Sequence, residues 1–433
     1  MRPISFSKPA PATPFPLNEW LDRTDRAEVG REPFFRGRDL EYEVFQRAVN
    51  SFASGHIGGG TMIFQGAPGA GKTAFKNECI EAVCQHSTPQ EPWVPVPVKP
   101  SALNSAPSVI KAMMEATKRE LDRLVGAFPD YESSRVKNLK EALLTGLKKL
   151  DVTVNVGVVG FTGHGESESA QSQQGLSADM IFSDAATYFE NIRLVIFVDE
   201  AQNTPVSEST KAVLSCLHEG VQGISLLAAF FGLSDTEEVL RQCGLSRPAR
   251  DRVITLETMS QEEAASAIQG VFDAYEFSGP DQSTWVDELA SLSQGWPQHI
   301  NSVAVAAGQV IQKNGGSLQS NLLQQAVELG KEKKEQYYYT RLKACSGEPW
   351  VYKQLAEAAA DSGGVLARSE IDKLTETFRS KDQSIYDFLA DALHAGVLMD
   401  SKSLPDHYKI PIPSFGEYLR ELPNKVPPDM NSS

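Results

Sequence analysis

A glycine-rich stretch with a lysine and a threonine stands near residue 70: Gly66-Ala-Pro-Gly-Ala-Gly71-Lys72-Thr73. Glycines at this spacing let backbone N–H groups turn inward around phosphate oxygens, and the start of a helix adds partial positive charge. Lys72 can neutralise β- and γ-phosphates, and the Thr73 hydroxyl can bind Mg²⁺. The apolar run Thr61–Gln65 before the motif and the helical pattern after it complete a strand–loop–helix setting. We therefore predict a nucleoside triphosphate site; the alternative is a glycine-rich turn without a ligand.

Two adjacent acids follow a second apolar run. Leu194–Val198 is apolar throughout, which predicts a strand buried on both faces, and Asp199 and Glu200 come directly after it. Ligands bind at the C-terminal edge of such strands. We expect Asp199 to hold Mg²⁺ and Glu200 to act as the general base toward water, unless Glu200 is only an acid at a helix start. Gln202 is expected to orient the water or to face solvent.

The elements that must position these motifs alternate between strands and helices from residue 31 to 258, which is typical of a parallel sheet covered on both faces. The strand candidates are Thr61–Gln65, Trp93–Val98, Leu194–Val198, Ile224–Phe231 and Arg252–Glu257. Pro95 and Pro97 predict that the second strand lies at an edge. An insertion at about 104–176 contains two helical patterns, then alternating valines at 151–159 that predict a strand of a surface hairpin, then a Gly/Ser/Gln-rich loop.

The remaining segments predict smaller parts. Residues 1–30 carry five prolines by position 16, which predicts an extended arm on the domain surface. A capping box at Ser260–Glu263 begins a helical lid over 259–335, with a separate charged helix at its end. Residues 336–424 give three short helices followed by a hairpin, the order of a winged helix, and 425–433 form a tail.

With both motifs in place, the chain resembles the AAA+ superfamily of P-loop ATPases, and more narrowly its origin-recognition-like and STAND-like branches. The resemblance covers about residues 33–425. It implies a three-layer α/β fold with parallel strand order 5-1-4-3-2, a helical lid and a C-terminal winged helix. It implies ATP and Mg²⁺ as ligands, with Lys72 also acting in catalysis and with Thr73 and Asp199 at the metal. The implied nucleotide-binding loop is Gly66, Ala67, Pro68, Gly69, Ala70, Gly71, Lys72, Thr73 and Ala74.

Two motifs near the implied adenine site have roles only through this resemblance. Arg36, Gly37 and Arg38 match the entry motif that lies beside the adenine and ribose, with a surface turn as the alternative. Pro297 matches the lid proline that approaches the adenine. No arginine follows it, so the lid phosphate sensor is missing or replaced by His299, for which a packed histidine is the alternative.

Two further motifs concern the γ-phosphate. Ser234 follows the fourth strand, where the family places a polar sensor. Arg247, and after it Arg250, are candidates for an arginine finger that would reach into a neighbouring subunit, with structural salt bridges as the alternative. Such a finger implies self-association and slow hydrolysis by the isolated subunit.

The charge of the chain bears on its partners. Its 41 Lys and Arg against 56 Asp and Glu give a net charge of −15, which opposes passive adhesion to nucleic acid. The predicted third helix of the winged helix, about Asp382–Ala395, has three aspartates and no Lys or Arg. This favours a protein-docking or autoinhibitory winged helix over one that binds DNA.

The composition excludes other classes and completes the functional expectation. Five scattered cysteines fit a reducing cytosol, and no apolar run approaches the ~20 residues of a membrane helix, so we expect a soluble, cytoplasmic protein without membrane contact. We expect an ATP-binding, Mg²⁺-dependent ATPase that switches a partner protein through conformational change or oligomerisation. The alternative is a DNA-transaction ATPase that assembles on DNA with ATP.

Overall fold

The computed structural model describes residues 8–10, 12–23, 35–54, 60–128, 131, 134–156, 177–245, 252–345, 348–376, 384–401 and 404–423. The chain divides into two compact units. The first comprises Met1–Ala10, Asp39–Gln65 and Phe75–Ile254, and the second comprises Pro11–Arg38, Gly66–Ala74 and Thr255–Ser433. No described helix is both long and apolar enough to cross a membrane.

A five-stranded sheet forms the centre of the first unit. Its strands are β1 (Thr61–Gln65), β2 (Trp93–Val98), β3 (Arg193–Val198), β4 (Ser225–Gly232) and β5 (Val253–Thr255). Their order is β2-β3-β4-β1-β5, and β2 with β3, β3 with β4 and β4 with β1 pair in parallel. The predicted fold class and strand order are confirmed. β2, which contains Pro95 and Pro97, lies at an edge, because proline there removes no hydrogen bond that a neighbouring strand requires.

Helices cover this sheet. They are α2 (Asp39–Ala53), α3 (Lys72–His86), α4 (Ala106–Ala127), α5 (Ser134–Val156), α6 (Ala178–Ala185), α7 (Glu208–Glu219) and α8 (Thr236–Gln242). β1 and β4 are buried along almost their whole length. Aromatic rings join them: Phe64 stacks on Phe231 with centroids 5.0 Å apart and meets Phe75 of α3 edge-on at 5.1 Å. The apolar residues that predicted each central strand are therefore the residues that form the core of the first unit.

The insertion departs from the prediction at its C-terminal end. The alternating valines at 151–159 predict a hairpin strand, which is wrong for the described part, because α5 continues through Val156. A helix that has already formed several turns gains one backbone hydrogen bond per added residue, and this gain exceeds the small helix penalty of valine. Residues 157–176, including the predicted Gly/Ser/Gln-rich loop, lie outside the described residues.

The second unit begins with a short helix where the sequence predicts an extended arm. α1 (Leu17–Arg23) buries Trp20 and Leu21 in the lid core, and the ring of Trp20 lies 5.1 Å from that of Tyr275. Tyr275 also donates a hydrogen bond to the carbonyl of Phe15. Burial of the two apolar side chains gives this segment a helical conformation that its prolines alone do not predict.

The lid consists of α9 (Gln261–Ala274), α10 (Gln282–Ser293), α11 (Pro297–Lys313) and α12 (Ser320–Lys343). The predicted capping box is present, since Ser260 and Glu263 each bond the other's backbone N–H. The separate charged helix is wrong, because α12 runs through Gly330 without a break. A methyl group on Gly330 would lie 3.1 Å from Leu292 Cδ2 and 3.2 Å from Val303 Cγ1. This glycine therefore serves close helix packing and does not end the helix.

The C-terminal part has the predicted winged-helix order. It contains α13 (Pro349–Asp361), β6 (Val365–Ala367), α14 (Arg368–Thr375), α15 (Ile385–Ala395), β7 (Met399–Asp400), β8 (His407–Lys409) and α16 (Phe415–Glu421). The three strands form an antiparallel sheet in the order β6-β8-β7. The first three helices, α13 to α15, with the small β-wing confirm the winged-helix architecture.

Candidate functional site

The phosphate-loop motif connects β1 to α3. Gly69 and Gly71 both have φ of 84°, in the left-handed region where glycine is favoured. The Lys72 ammonium donates to the carbonyl oxygens of Gly66 and Ala67, each at 3.0 Å. The first turn of α3 thus places Lys72 and Thr73 at the end of a loop with the backbone shape of an anion-binding turn.

Residues of the lid hold the loop backbone. The Tyr337 phenol donates to the Pro68 carbonyl at 2.8 Å, and the backbone N–H of Gln298 donates to the Gly69 carbonyl at 3.2 Å. Pro297, predicted near the nucleotide, lies against the loop, since a methyl group on Gly71 would be 3.4 Å from its Cβ. The motif predicts none of the contacts with Tyr337, because that residue is far along the chain in α12.

The winged helix also touches the loop. Gly396, at the C-terminal end of α15, has φ of 76°, and a methyl group there would overlap Cδ of Pro68. The close approach therefore depends on a residue without a side chain. Pro68 is consequently in contact with the winged helix through its ring and with α12 through its carbonyl.

The predicted entry motif is attached to the same loop. The Arg38 guanidinium is buried and donates to the carbonyls of Ala70, at 3.1 Å, and Glu257. Its backbone N–H donates to Glu263 Oε1 at 2.9 Å. Gly37 precedes it in the left-handed region, with φ of 73°. This segment is thus a buried brace rather than a surface turn, and the Glu263 carboxylate serves both the capping box and Arg38.

Arg36 of the same motif lies nearby but points elsewhere. Its guanidinium donates to the carbonyl of Phe35, and it lies beside Gly270 of α9. Within this segment, therefore, Arg38 braces the phosphate loop and Arg36 packs on the lid.

The acid pair lies at the end of β3 in the first unit. Asp199 Oδ2 is 2.5 Å from Nζ of Lys76 on α3, and its Oδ1 accepts the backbone N–H of Glu200 at 3.1 Å. Glu200 has a left-handed backbone, with φ of 53° and ψ of 39°. Its Oε2 accepts a hydrogen bond from the Gln202 amide, whose own oxygen accepts the backbone N–H of Leu233 at 3.0 Å. A chain of hydrogen bonds thus runs from α3 past both acids to the end of β4.

Gln202 does not face solvent, which is one of its two predicted alternatives. It is buried, with 8% of its surface exposed, and its amide bonds both Glu200 and Leu233. Gly232 makes room for it, since a methyl group there would lie 2.6 Å from the Gln202 amide oxygen. Ser234, the predicted phosphate sensor, comes one residue after Leu233 and is half-buried. Gln202 therefore holds the Glu200 carboxylate through its amide.

Sheet topology brings the C-terminal ends of β1 and β3 to one edge of the sheet. β1 and β3 both pair in parallel with β4, so their C-terminal ends lie at the same edge with one strand between them. Gln65 is in register with Gly232, and Val198 with Phe230. Two strand spacings amount to roughly 9–10 Å. β1 and β3 are separated laterally by about that distance, and Gln65 extends two residues further toward this edge than Val198.

His299 is packed in the second unit. It is fully buried, its Nδ1 lies 3.2 Å from the Ser293 carbonyl, and the rings of Tyr337 and Tyr338 meet it edge-on. Burial, with a contribution from the charge of Lys334, lowers the pKa of His299 to about 3. A neutral histidine cannot replace a phosphate-sensing arginine. The alternative of a packed histidine is the one the geometry favours.

The two arginine-finger candidates, Arg247 and Arg250, lie outside the described residues.

A metal ion would need ligands beyond the protein. Among the residues that are described, no three His, Cys, Asp or Glu side chains form a group that could hold an ion alone. A magnesium ion bound with a triphosphate takes one or two protein oxygens and fills its other positions with phosphate and water. The Thr73 hydroxyl and the Asp199 carboxylate each supply an oxygen of the type that Mg²⁺ binds.

Comparisons with known proteins show similarity to solved structures but not to curated sequences. No protein-family model matches the sequence, and no curated protein matches it. A structure of the Aeropyrum pernix ORC2 protein (ADPNP-ADP complexes) is similar at 13% identity and a TM-score of 0.48, over 92% of this chain and 96% of that one. Cdc6p from Pyrobaculum aerophilum is similar at 12% identity and a TM-score of 0.38, over 92% of this chain and 95% of that one. The Thermotoga maritima RuvB Holliday junction branch migration motor is similar at 12% identity and a TM-score of 0.40, over 90% of this chain and 97% of that one. The strand order β2-β3-β4-β1-β5 is the 5-1-4-3-2 order expected of the three-layer P-loop fold.

Proposed function

We propose that this chain binds ATP, hydrolyses it with Mg²⁺, and uses its nucleotide state to switch a partner protein. Lys72 and the loop 66–74 would bind the phosphates, and Thr73 and Asp199 would hold the metal. Glu200 would accept a proton from the attacking water, and Ser234 would contact the γ-phosphate. Magnesium supplies charge neutralisation across the phosphates when bound. Arg247 or Arg250 would complete the site of a neighbouring copy.

One observation supports the switch: the phosphate loop is held by the two parts of the second unit that would have to respond to nucleotide. Pro68 accepts the phenol of Tyr337 on α12 and lies against Gly396 of the winged helix. Gly69 accepts a backbone N–H from the start of α11. A phosphate group that reorients these loop peptides would therefore change their contacts to α11, α12 and the winged helix. These contacts would couple occupancy of the loop to the positions of those elements.

The roles of Pro297 and Arg38 follow from the same contacts. Pro297 lies beside Gly71, and Arg38 holds Ala70 and Glu257 together. We place the adenine and ribose near these two residues, together with Arg36 and Gly37. His299 would not contact the nucleotide. It would be a neutral residue that packs against the ring of Tyr337.

The exposed face of α15 favours a protein partner over DNA. Its exposed residues include Tyr386, Asp387 and His394, and the helix contains no Lys or Arg. A helix that enters the major groove gains most of its affinity from cationic contacts to phosphate. Tyr386 and a carboxylate are better suited to a protein surface, where aromatic residues supply much of the binding energy.

Size-exclusion chromatography of the wild type, Lys72→Ala and Glu200→Gln tests the proposal, each run with ATP and Mg²⁺, with and without duplex DNA. We expect Lys72→Ala to lose nucleotide. We expect Glu200→Gln to retain ATP and to accumulate the ATP form, because binding groups remain while the base is lost. Oligomers that form with ATP and without DNA would support the partner-regulating switch.

Two results would decide against it. Salt-dependent retention of DNA by the ATP-bound protein alone would favour the DNA-transaction alternative. Equal hydrolysis by the wild type and both variants would reject the residue roles themselves.

A further inference from the structure

Lys76 is a second lysine on α3, and its ammonium is paired with the first acid after β3. Its Nζ lies 2.5 Å from Oδ2 of Asp199, and 16% and 27% of the two side chains are exposed. The other Asp199 oxygen accepts the backbone N–H of Glu200. The Lys76 ammonium therefore faces the carboxylate that we propose for the metal.

Lys76 lies one helical turn after Lys72, the lysine of the phosphate loop. Lys72 and Lys76 are four residues apart, and such residues share one face of an α-helix. Lys72 bonds to carbonyls of the loop, and Lys76 bonds to Asp199. The same helix face that carries the phosphate-binding residue thus also carries a cation for the acid.

An ammonium can neutralise this carboxylate but cannot replace a divalent cation. Magnesium demands six oxygen ligands at about 2.0–2.1 Å, and it joins protein oxygens to phosphate oxygens. An ammonium carries one charge and only donates hydrogen bonds. A metal ion bound at Asp199 would also repel a positive charge at the present position of the Lys76 ammonium.

We infer that Lys76 is a positioning residue that holds Asp199 in the absence of metal and must leave the carboxylate when a divalent cation binds. The lysine stem has several rotatable bonds and is partly exposed, so the ammonium can swing toward solvent. Lys76 and the metal therefore compete for one oxygen, and removal of the ammonium makes metal binding tighter. This inference rests on the proposed nucleotide function, because the triphosphate would supply further oxygen ligands to the metal.

A purely structural ion pair predicts a different result. Its loss changes the stability of the fold but leaves the metal dependence of nucleotide binding as it was. Lys140 supplies a matched control in the same unit: its Nζ lies 2.8 Å from Asp122 Oδ1, and 18% of its side chain is exposed. Methionine at either position keeps the apolar stem and removes the charge.

The experiment measures binding of a fluorescent ATP analogue to the full chain while Mg²⁺ is titrated from a chelated state. We expect Lys76→Met to lower the Mg²⁺ concentration at half-maximal effect by about fivefold, and Lys140→Met to leave it unchanged. In an Asp199→Asn background, Lys76→Met should no longer shift this midpoint, because the contested carboxylate is gone.

An unchanged midpoint in Lys76→Met, an equal shift in Lys140→Met, or a shift that persists with Asp199→Asn would each overturn the inference. A wild type that binds no nucleotide would instead reject the proposed function. The inference would then be decided by Mn²⁺ binding to nucleotide-free protein, measured by electron paramagnetic resonance. Tighter Mn²⁺ binding by Lys76→Met than by wild type supports it, and equal binding overturns it.

Discussion

The Tyr337 phenol donates a 2.8 Å hydrogen bond to the Pro68 carbonyl, 269 residues earlier in the chain. Pro68 belongs to the phosphate loop, and Tyr337 lies on α12, the helix that precedes the winged helix. Burial raises the pKa of Tyr337, so the phenol keeps its proton and remains a donor. A peptide group of the loop is thereby attached to an element that no phosphate-loop motif includes.

Tyr337→Phe removes this hydrogen bond and keeps the ring. A neutral hydrogen bond contributes about 0.5–1.5 kcal/mol, so we expect bound ADP to dissociate roughly threefold to tenfold faster, because the loop is less restrained by α12. Stopped-flow release of a fluorescent ADP analogue measures the rate. Tyr339→Phe is the control, since Tyr339 on the same helix is 57% exposed. A release rate that does not differ between the two variants would argue against coupling through Tyr337.

Gly396→Ala tests the contact between the winged helix and Pro68. The new methyl group would overlap the Pro68 ring in addition to straining the left-handed backbone. Gly363→Ala is the matched control, because Gly363 has a similar φ of 70° and nothing within 4 Å of a methyl group. We expect the control to lose about 1–2 kcal/mol from backbone strain and Gly396→Ala to lose about 1–3 kcal/mol more from overpacking.

Urea unfolding of both variants measures these losses. Adding Pro68→Ala to Gly396→Ala should recover part of the difference, because the smaller side chain leaves room for the methyl group. Without such recovery, the strain at Gly396 would have to come from another neighbour.

The strands and the edge at which they end were predictable from the sequence because each buried strand is a short, nearly continuous apolar run. Thr61–Gln65 and Trp93–Val98 are strands with the predicted bounds. The two prolines of the second strand fix it at an edge. Asp199 and Glu200 follow the third strand directly, so their place at the sheet edge follows from the parallel pairing of the strands.

Contacts made by side chains were not predictable in the same way. Helical periodicity indicates that Lys76 shares a face with Lys72, but it does not indicate which acid that face meets. Gln202 is polar and lies after a strand, and its burial depends on the absence of a side chain at Gly232. The alternating valines after Leu150 predict a strand locally, whereas the structure continues the helix already formed.

Gln202→Ala removes the amide that joins Glu200 to Leu233. The buried backbone N–H of Leu233 loses its acceptor, so we expect the free energy of unfolding to fall by about 1–3 kcal/mol. Glu200 loses a donor that orients its carboxylate, so kcat for ATP should fall roughly tenfold with little change in KM. Urea unfolding and steady-state ATP hydrolysis measure the two effects.

Gln242→Ala is the control for this pair of effects. Gln242 is exposed, and its amide donates to Glu238 at 2.9 Å on the surface of α8, so its loss should leave both quantities nearly unchanged. A Gln202→Ala variant that loses stability but keeps full kcat would show that the amide supports the fold without orienting Glu200.

The buried His299 makes stability depend on pH in a direction that can be worked out. Its folded pKa is about 3, and its ordinary pKa is about 6.5. Between these values the unfolded chain binds more protons than the folded one. The contribution of His299 to stability is therefore complete above about pH 6.5 and is lost as pH falls toward 3, by at most about 1.4 kcal/mol per pH unit.

Urea unfolding of wild type and His299→Asn at about pH 7 and about pH 5 measures this contribution. The asparagine amide can still donate to the Ser293 carbonyl, but it takes up no proton in this range. Wild type should therefore lose up to about 2 kcal/mol more than the variant over that interval. His394→Asn is the control, since His394 is exposed on α15 and its replacement should leave the wild-type slope. Equal slopes in wild type and His299→Asn would mean that His299 takes up its proton without unfolding, which a residue packed between Tyr337 and Tyr338 cannot readily do.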